Sequence, residues 1–156
     1  MIHVLFVCSG NTCRSPIAEA NLREKIKKNN AADRVSVSSA GISAWEGQPA
    51  SAEAVKAMAL RCISSIAVHR SRQINAQMIA GADLILTMTS AHREKLHRCA
   101  AANATKIYLL SEYAGATEDV ADPFGGPMSE YEMCADELEH LIESAWGKIS
   151  AMAGIN

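Results

Sequence analysis

Five residues separate Cys8 from Arg14, and this segment follows an apolar run at the start of the chain. A loop of this length between a strand and a helix can turn successive backbone N–H groups towards one anion, and the positive end of the following helix strengthens the attraction. The planar guanidinium of Arg14 matches two oxygens of a phosphate group. The spacing therefore predicts an anion-binding loop with a thiol at its base.

The residues inside the loop fit this interpretation. Gly10 can adopt backbone angles that other residues resist, and Asn11 is one of the few non-glycine types that tolerate a left-handed conformation. Because a positive environment favours the thiolate, we expect the pKa of Cys8 to lie well below that of a free cysteine, with the Ser15 hydroxyl donating to the sulfur. The alternative is that Cys8 is an inert, buried side chain, as most free cysteines are.

Two other kinds of site do not fit the sequence. A nucleotide P-loop would end in Gly-Lys followed by Ser or Thr, and that ending is absent. No Cys and His residues have the spacing of a zinc site, so we expect no metal. The cysteines outside the loop show no partner spacing and are expected in the core or at the surface: Cys62, Cys99 and Cys134.

The elements that must position the loop alternate between strands and helices. Apolar and β-branched runs predict strands at residues 2–7, 35–38, 82–88 and 106–110. Helices are predicted to begin at Ser15, Ser51 and Ser90, the second reaching Cys62, and a final amphipathic helix follows residues 122–127. This order predicts an α/β fold with a parallel sheet covered on both faces, and a ligand beyond the carboxyl ends of the strands. We expect one domain over residues 1–156.

Residues 8–16, 39–41, 69–73 and 122–123 together resemble the low-molecular-weight protein-tyrosine-phosphatase family in order and spacing, over nearly the whole chain. The resemblance implies a three-layer α/β/α fold with a flavodoxin-like, four-stranded parallel sheet. It also implies a phosphocysteine intermediate and neither metal nor other cofactor. The substrate would be a phosphorylated protein, and inorganic phosphate would be the product.

The resemblance assigns roles to individual residues. Cys8 would be the nucleophile, Arg14 would bind the phosphoryl group, and Asp122 would be the general acid that the loop itself cannot supply. Cys13 would be able to form a disulfide with the nucleophile. The phosphate-binding loop would comprise Ser9, Gly10, Asn11, Thr12, Cys13, Arg14 and Ser15, and a hydrogen-bond network supporting it would comprise Asn11, Ser15, Ser39 and His69.

Three residues are expected to form the wall that contacts the substrate: Thr12, Trp45 and Phe124. Thr12, and Phe124 followed by two glycines, resemble the bacterial protein-arginine-phosphatase branch of the family. A threonine offers a hydroxyl and less bulk, which suits a guanidinium better than a phenyl ring, and one aromatic at the rim leaves less stacking surface. Trp45 and residues 69–73 instead resemble the tyrosine-directed members. We expect phosphoarginine as the substrate, with phosphotyrosine as the alternative.

Charge and composition restrict the partners and the compartment. The net charge of -2 provides no basic field for nucleic acid. The N-terminal apolar run is too short for a signal peptide, and no segment is long enough to span a bilayer, so we expect no membrane association. An odd number of cysteines, five, does not suit a disulfide framework and favours a reducing cytoplasm. We expect a monomer or weak dimer.

Two functions of other classes compete with a phosphatase. An arsenate reductase of this fold would need a pair of relay cysteines near residues 80–90, and that stretch contains none. A non-catalytic phosphate-binding module could use Arg14 and the glycines, but it would not require both Cys8 and Asp122. The sequence therefore favours an enzyme over a binding module.

Overall fold

The polypeptide forms a four-stranded parallel sheet in the computed structural model, which describes residues 1–155; Asn156, at the end of the predicted domain, lies outside the described residues. The strands are β1 (Ile2–Cys8), β2 (Val35–Gly41), β3 (Leu84–Thr87) and β4 (Ile107–Leu109), in the order β2-β1-β3-β4. The chain leaves β1 towards one edge of the sheet and later returns to the other, which opens a crevice at the carboxyl end of β1.

Helices connect the strands and cover the sheet. They are α1 (Arg14–Lys28), α2 (Ala52–Ala59), α3 (Ala76–Gly81), α4 (Ser90–Cys99), α5 (Leu110–Tyr113) and α6 (Met128–Met152), with short 3-10 helices at Ser65–Val68 and Ala101–Lys106. Side-chain oxygens of Ser51, Asn75 and Thr89 accept hydrogen bonds from first-turn N–H groups and so cap α2, α3 and α4. Within residues 1–155, no helix is both long enough and apolar enough to cross a membrane.

The core lies on both faces of the sheet, because successive side chains of a strand point to opposite faces. Val4, Phe6 and Cys8 of β1 belong to one buried cluster, which α1, α2 and α6 complete. Leu5 and Val7 belong to the other, with residues of α3, α4 and β4. The predicted three-layer α/β/α architecture with a four-stranded parallel sheet is confirmed.

Several element boundaries differ from the prediction. The helix after Ser51 ends at Ala59, and Cys62, placed inside it by the sequence pattern, has a φ of 60° that no helix accommodates. The third strand covers only Leu84–Thr87, and it starts after Ala82 because the Ala82 N–H still bonds to the Met78 carbonyl of α3. Helices α3 and α5 were not predicted. With six and four residues, they are too short to show helical periodicity.

The end of β2 determines how closely the loop after β1 can pack against it. Backbone hydrogen bonds of 2.9 Å join Ile42 N–H to the Cys8 carbonyl and Ser43 N–H to the Ser9 carbonyl. A Cβ on Gly41 would lie 2.5 Å from the Ser9 carbonyl oxygen and 3.1 Å from the Asn11 nitrogen. Glycine at position 41 therefore lets the loop pass directly over the end of β2.

Candidate active site

The loop between β1 and α1 wraps around the Cys8 thiol. The sulfur lies 2.8 Å from the Ser15 hydroxyl oxygen and accepts a hydrogen bond of 3.3 Å from the Asn11 backbone N–H. Asn11 has a φ of 58°, as predicted, but Gly10 is not among the described residues with positive φ. Gly10 does not use the conformational freedom that glycine permits, and a Cβ there would meet the Thr12 hydroxyl at an ordinary 3.8 Å. The turn depends on Asn11.

The loop that follows Cys8 carries several backbone donors without acceptors. The N–H groups of Gly10, Thr12 and Cys13 have no carbonyl acceptor among residues 1–155. The first N–H groups of α1, which begins at Arg14, also lack intrahelical acceptors. Because backbone N–H groups in folded proteins are almost always paired, this concentration of free donors is what an anion-binding loop requires.

The protonation of Cys8 differs from the sequence-based expectation. Burial raises the pKa of the Cys8 thiol above its ordinary value. Hydrogen bonds from the Ser15 hydroxyl and from the backbone N–H groups of Ser15 and Asn11, together with the charge of Arg14, act in the opposite direction. The prediction of a pKa well below that of free cysteine is wrong for this structure, because the cost of burying the thiolate exceeds what these groups supply.

Asn11 is the centre of a buried hydrogen-bond network. Its side-chain N–H₂ donates to the Ser15 hydroxyl at 2.8 Å and to the Ser39 hydroxyl at 2.9 Å. Its backbone carbonyl lies 2.7 Å from His69 Nε2. The structure therefore brings together the four residues predicted for the network. The set extends to Glu19, which accepts from Ser39 at 2.6 Å, and to the backbone N–H of Arg72, which donates to Asn11 Oδ1 at 2.9 Å.

Arg14 and Asp122 meet above the loop. The Arg14 side chain is 6 % exposed, and its Nη1 donates a hydrogen bond of 3.0 Å to the Val120 carbonyl, which fixes the guanidinium. Its Nη2 lies 3.4 Å from Asp122 Oδ2. The Asp122 side chain is half exposed, and its other oxygen accepts from the Phe124 backbone N–H at 3.1 Å. A buried, fixed cation thus faces a carboxylate that can reach solvent.

These groups line one pocket with a volume of about 640 Å³. Its floor is the loop from Cys8 to Arg14, and its rim includes the three predicted wall residues, Thr12, Trp45 and Phe124. Trp45 and Phe124 are 82 % and 73 % exposed, so both aromatic rings are available to a ligand. Sequence analysis missed two further lining residues, Ser43 and Gln48, because their types occur at many surface positions and their neighbours form no motif.

The chain matches the family model described as low molecular weight phosphotyrosine protein phosphatase over residues 3–151. It belongs to this family. The match includes the loop, the network and the Arg14–Asp122 pair, so the resemblance inferred from four short segments is confirmed over most of the chain.

Individual phosphatases of the family are similar over almost their entire length. The chain is 40 % identical to a protein-arginine-phosphatase of Geobacillus stearothermophilus, covering 90 % of both sequences. It is 37 % identical to the low molecular weight protein-tyrosine-phosphatase PtpB of Staphylococcus haemolyticus, covering 90 % of this chain and 95 % of PtpB. A YwlE arginine phosphatase variant solved with a phosphorylated active-site serine superimposes with a TM-score of 0.90 and 33 % identity, covering 96 % of each chain.

The cysteines of this phosphatase are free thiols. Cys13 is buried, and its sulfur lies 3.4 Å from the Ser51 hydroxyl and 3.7 Å from the Tyr131 hydroxyl. Cys62 and Cys99 are exposed and Cys134 is buried. Among residues 1–155, no group of three or more His, Cys, Asp or Glu side chains could hold a metal ion.

One contact to the phosphatase loop was not predicted at all. His92, in the first turn of α4, lies with its Nε2 2.9 Å from the Ser9 hydroxyl oxygen. In the sequence, His92 is one histidine in a charged helix, and no pattern distinguishes it. The contact of His92 with the loop depends on where α4 packs. An available signal was Thr89, whose capping contact to the His92 N–H fixes the start of this helix beside the carboxyl end of β3.

Proposed function

We propose that this protein hydrolyses phosphorylated side chains of proteins through a phosphocysteine intermediate. The observation that carries the proposal is that one pocket brings three groups together. They are the Cys8 thiol at its floor, the free backbone N–H groups of the loop after Cys8, and the Arg14–Asp122 ion pair. A tetrahedral dianion placed on the loop would contact the sulfur on one side and the Asp122 carboxyl group on the other.

In the first step Cys8 attacks phosphorus as the thiolate, and the bond to the leaving group breaks. The Ser15 hydroxyl, the two N–H groups that bond to the sulfur and Arg14 are the groups that favour the thiolate. The phosphoryl oxygens bind the loop N–H groups and take over the Arg14 guanidinium from Asp122. The proton that Cys8 gives up passes through solvent to Asp122, whose side chain is half exposed, and Asp122 donates it to the leaving group, which departs neutral.

In the second step water hydrolyses the phosphocysteine. Asp122 lies at the pocket mouth with its side chain half exposed, so it can accept a proton from a water molecule that enters after the leaving group departs. The phosphoryl group passes to the water oxygen, and Cys8 leaves as a thiolate held by Ser15. A phosphorylated active-site serine in the similar YwlE variant supports a covalent phospho-intermediate.

We propose phosphoarginine as the phosphorylated residue. Thr12 lines the pocket, where its hydroxyl adds a polar group and leaves room at the wall. The 40 % identity to a protein-arginine-phosphatase over 90 % of both chains supports the same substrate.

Phosphotyrosine is the second candidate, and the rim of the pocket favours it. The exposed rings of Trp45 and Phe124 both line the pocket, so a phenyl ring would have a stacking surface on the way to the loop. PtpB of Staphylococcus haemolyticus, at 37 % identity, is named a tyrosine phosphatase.

The proposed compartment is the cytoplasm. All five cysteines are free, and two of them, Cys62 and Cys99, are exposed. Exposed free thiols persist in a reducing compartment, whereas an oxidising one would convert them to disulfides.

Turnover of p-nitrophenyl phosphate in the presence of a chelator tests the proposed chemistry. We expect activity without added metal, its loss in Cys8→Ser, and trapping of the phosphorylated serine in that variant, detectable by mass spectrometry. Residual turnover in Cys8→Ser equal to wild type would refute the proposal. Assays on matched phosphoarginine and phosphotyrosine peptides then decide the substrate, since the ratio of kcat/KM values measures the discrimination directly.

A further inference from the structure

His92 is buried beside the catalytic loop in an unusual state of hydrogen bonding. It is 8 % exposed, and its Nε2 lies 2.9 Å from the Ser9 hydroxyl oxygen. Its Nδ1 is also buried and has no hydrogen-bond partner within residues 1–155. The charges that act on it are those of Arg14, Asp119 and Asp122.

These contacts decide which ring nitrogen carries the proton. A neutral imidazole has one N–H, and burying an N–H without an acceptor is rarer in proteins than burying an unpaired acceptor. The contacts therefore favour the tautomer with the proton on Nε2 and the lone pair on the unpartnered Nδ1. His92 remains neutral because burial, reinforced by the charge of Arg14, lowers its pKa to about 4.

The tautomer of His92 fixes the role of Ser9. If Nε2–H donates to the Ser9 oxygen, the Ser9 hydroxyl proton is not used in that contact and can be donated elsewhere. Ser9 is exposed and lines the pocket directly after Cys8. A phosphoryl group on the loop would place acceptor oxygens next to it.

We propose that the Ser9 hydroxyl is a side-chain hydrogen-bond donor to a phosphoryl oxygen, and that His92 is the positioning residue that directs this donor into the pocket. The proposal rests on the proposed phosphatase activity. It adds one hydroxyl donor to the backbone N–H groups and the Arg14 guanidinium. Because the histidine is neutral, it orients Ser9 without adding a positive charge that would compete with Arg14 for the anion.

Three variants separate direct donation from simple packing. Ser9→Ala removes the donor, His92→Leu removes the group that directs it, and His92→Gln keeps an N–H close to the position of Nε2. We expect Ser9→Ala and His92→Leu each to lower kcat/KM for p-nitrophenyl phosphate and to weaken competitive inhibition by vanadate by about ten- to hundredfold, as the loss of one hydrogen bond to an anion predicts. His92→Gln should recover most of the loss, and His140→Gln, at an exposed position on α6, should be unchanged.

The double variant and the tautomer complete the test. Ser9→Ala combined with His92→Leu should lose no more activity than either change alone, because both remove the same contact. Long-range proton–nitrogen NMR spectra should show His92 protonated at Nε2 and not at Nδ1. The proposal is overturned if Ser9→Ala leaves kcat/KM and vanadate inhibition unchanged, if the losses add, or if the proton resides on Nδ1. A different result would refute the proposed function: the wild-type protein would not hydrolyse p-nitrophenyl phosphate.

Discussion

The guanidinium of Arg14 lies 3.4 Å from the carboxylate of Asp122, across the mouth of the pocket whose floor is the Cys8 thiol. The two partners differ in how they are held. Arg14 is 6 % exposed and bonded to the Val120 carbonyl, whereas Asp122 belongs to the loop before α6 and its side chain is half exposed. Substrate binding would therefore displace Asp122 and not Arg14, which leaves the carboxyl group free to face the leaving group.

Asp122→Ala should lower kcat by about 10²- to 10⁴-fold for esters with poor leaving groups, which is the usual contribution of a general acid. For esters whose leaving group is stable as an anion, the loss should be much smaller, because no proton is needed at departure. A series of aryl phosphates with graded leaving groups measures this dependence. An equal loss across the series would show that Asp122 acts on Arg14 or on binding and not on the leaving group.

Ser15→Ala should raise the pKa of the Cys8 thiol further. The Ser15 hydroxyl, 2.8 Å from the sulfur, is the largest contribution opposing the rise that burial causes. The pH dependence of alkylation by iodoacetamide reports the thiolate, and its midpoint should move to higher pH in the variant. Ser39→Ala is the matched control, since Ser39 bonds to Asn11 and Glu19 and has no contact with the sulfur. A midpoint that moves equally in both variants would contradict a direct role of Ser15.

Thr12→Ile should shift the substrate preference from phosphoarginine towards phosphotyrosine. The exchange removes a hydroxyl from the pocket wall and adds apolar bulk, so the polar guanidinium loses more than a phenyl ring does. The measured quantity is the ratio of kcat/KM values for matched phosphoarginine and phosphotyrosine peptides, which we expect to fall by about tenfold or more. An unchanged ratio would show that other residues lining the pocket set the selectivity, and Gln48 and Ser43 would be the next candidates.

Some parts of the site were accessible from sequence because they depend on adjacent residues. The left-handed Asn11 and the helix beginning after Cys13 follow from local backbone preferences. The rise in the Cys8 pKa did not follow from the loop sequence, because it results from burial by elements distant in the chain. The contact of His92 with Ser9 spans 83 residues and depends on how α4 packs. Backbone conformations set by neighbouring residues could therefore be predicted from the sequence. The burial of a thiol and contacts between distant residues could be found only in the folded structure.

Gly41→Ala should destabilise the protein by about 1–3 kcal/mol, the usual cost of forcing extra volume into a packed region. The added Cβ would lie 2.5 Å from the Ser9 carbonyl oxygen, and backbone cannot move aside as a flexible side chain can. Activity should fall as well, since the loop shifts with Ser9. Gly147→Ala is the matched control: it lies inside α6, more than one turn before its end, with nothing within 4 Å of the new Cβ, so it should stabilise by about 0.5–1 kcal/mol. Equal unfolding midpoints for the two variants in urea would contradict the close approach.

Acidification should destabilise the folded protein through His92. Its pKa is lowered from 6.5 to about 4 in the folded protein, so between these values the unfolded chain binds a proton that the folded protein does not. Stability from this residue is therefore complete above pH 6.5 and is lost progressively as the pH falls to about 4, with a slope of at most about 1.4 kcal/mol per pH unit. The measurement is the free energy of unfolding in urea at several values of pH.

His92→Gln should flatten this dependence, because glutamine does not titrate. His3 and His69, whose pKa values are also lowered by burial, remain in the variant and account for part of the slope that is left. The difference between wild type and His92→Gln therefore isolates the contribution of one buried imidazole. If the two proteins lose stability in parallel between pH 6.5 and pH 4, the pKa of His92 is not lowered on folding. The folded protein would then hold a protonated imidazole in this range and not the neutral imidazole that directs Ser9.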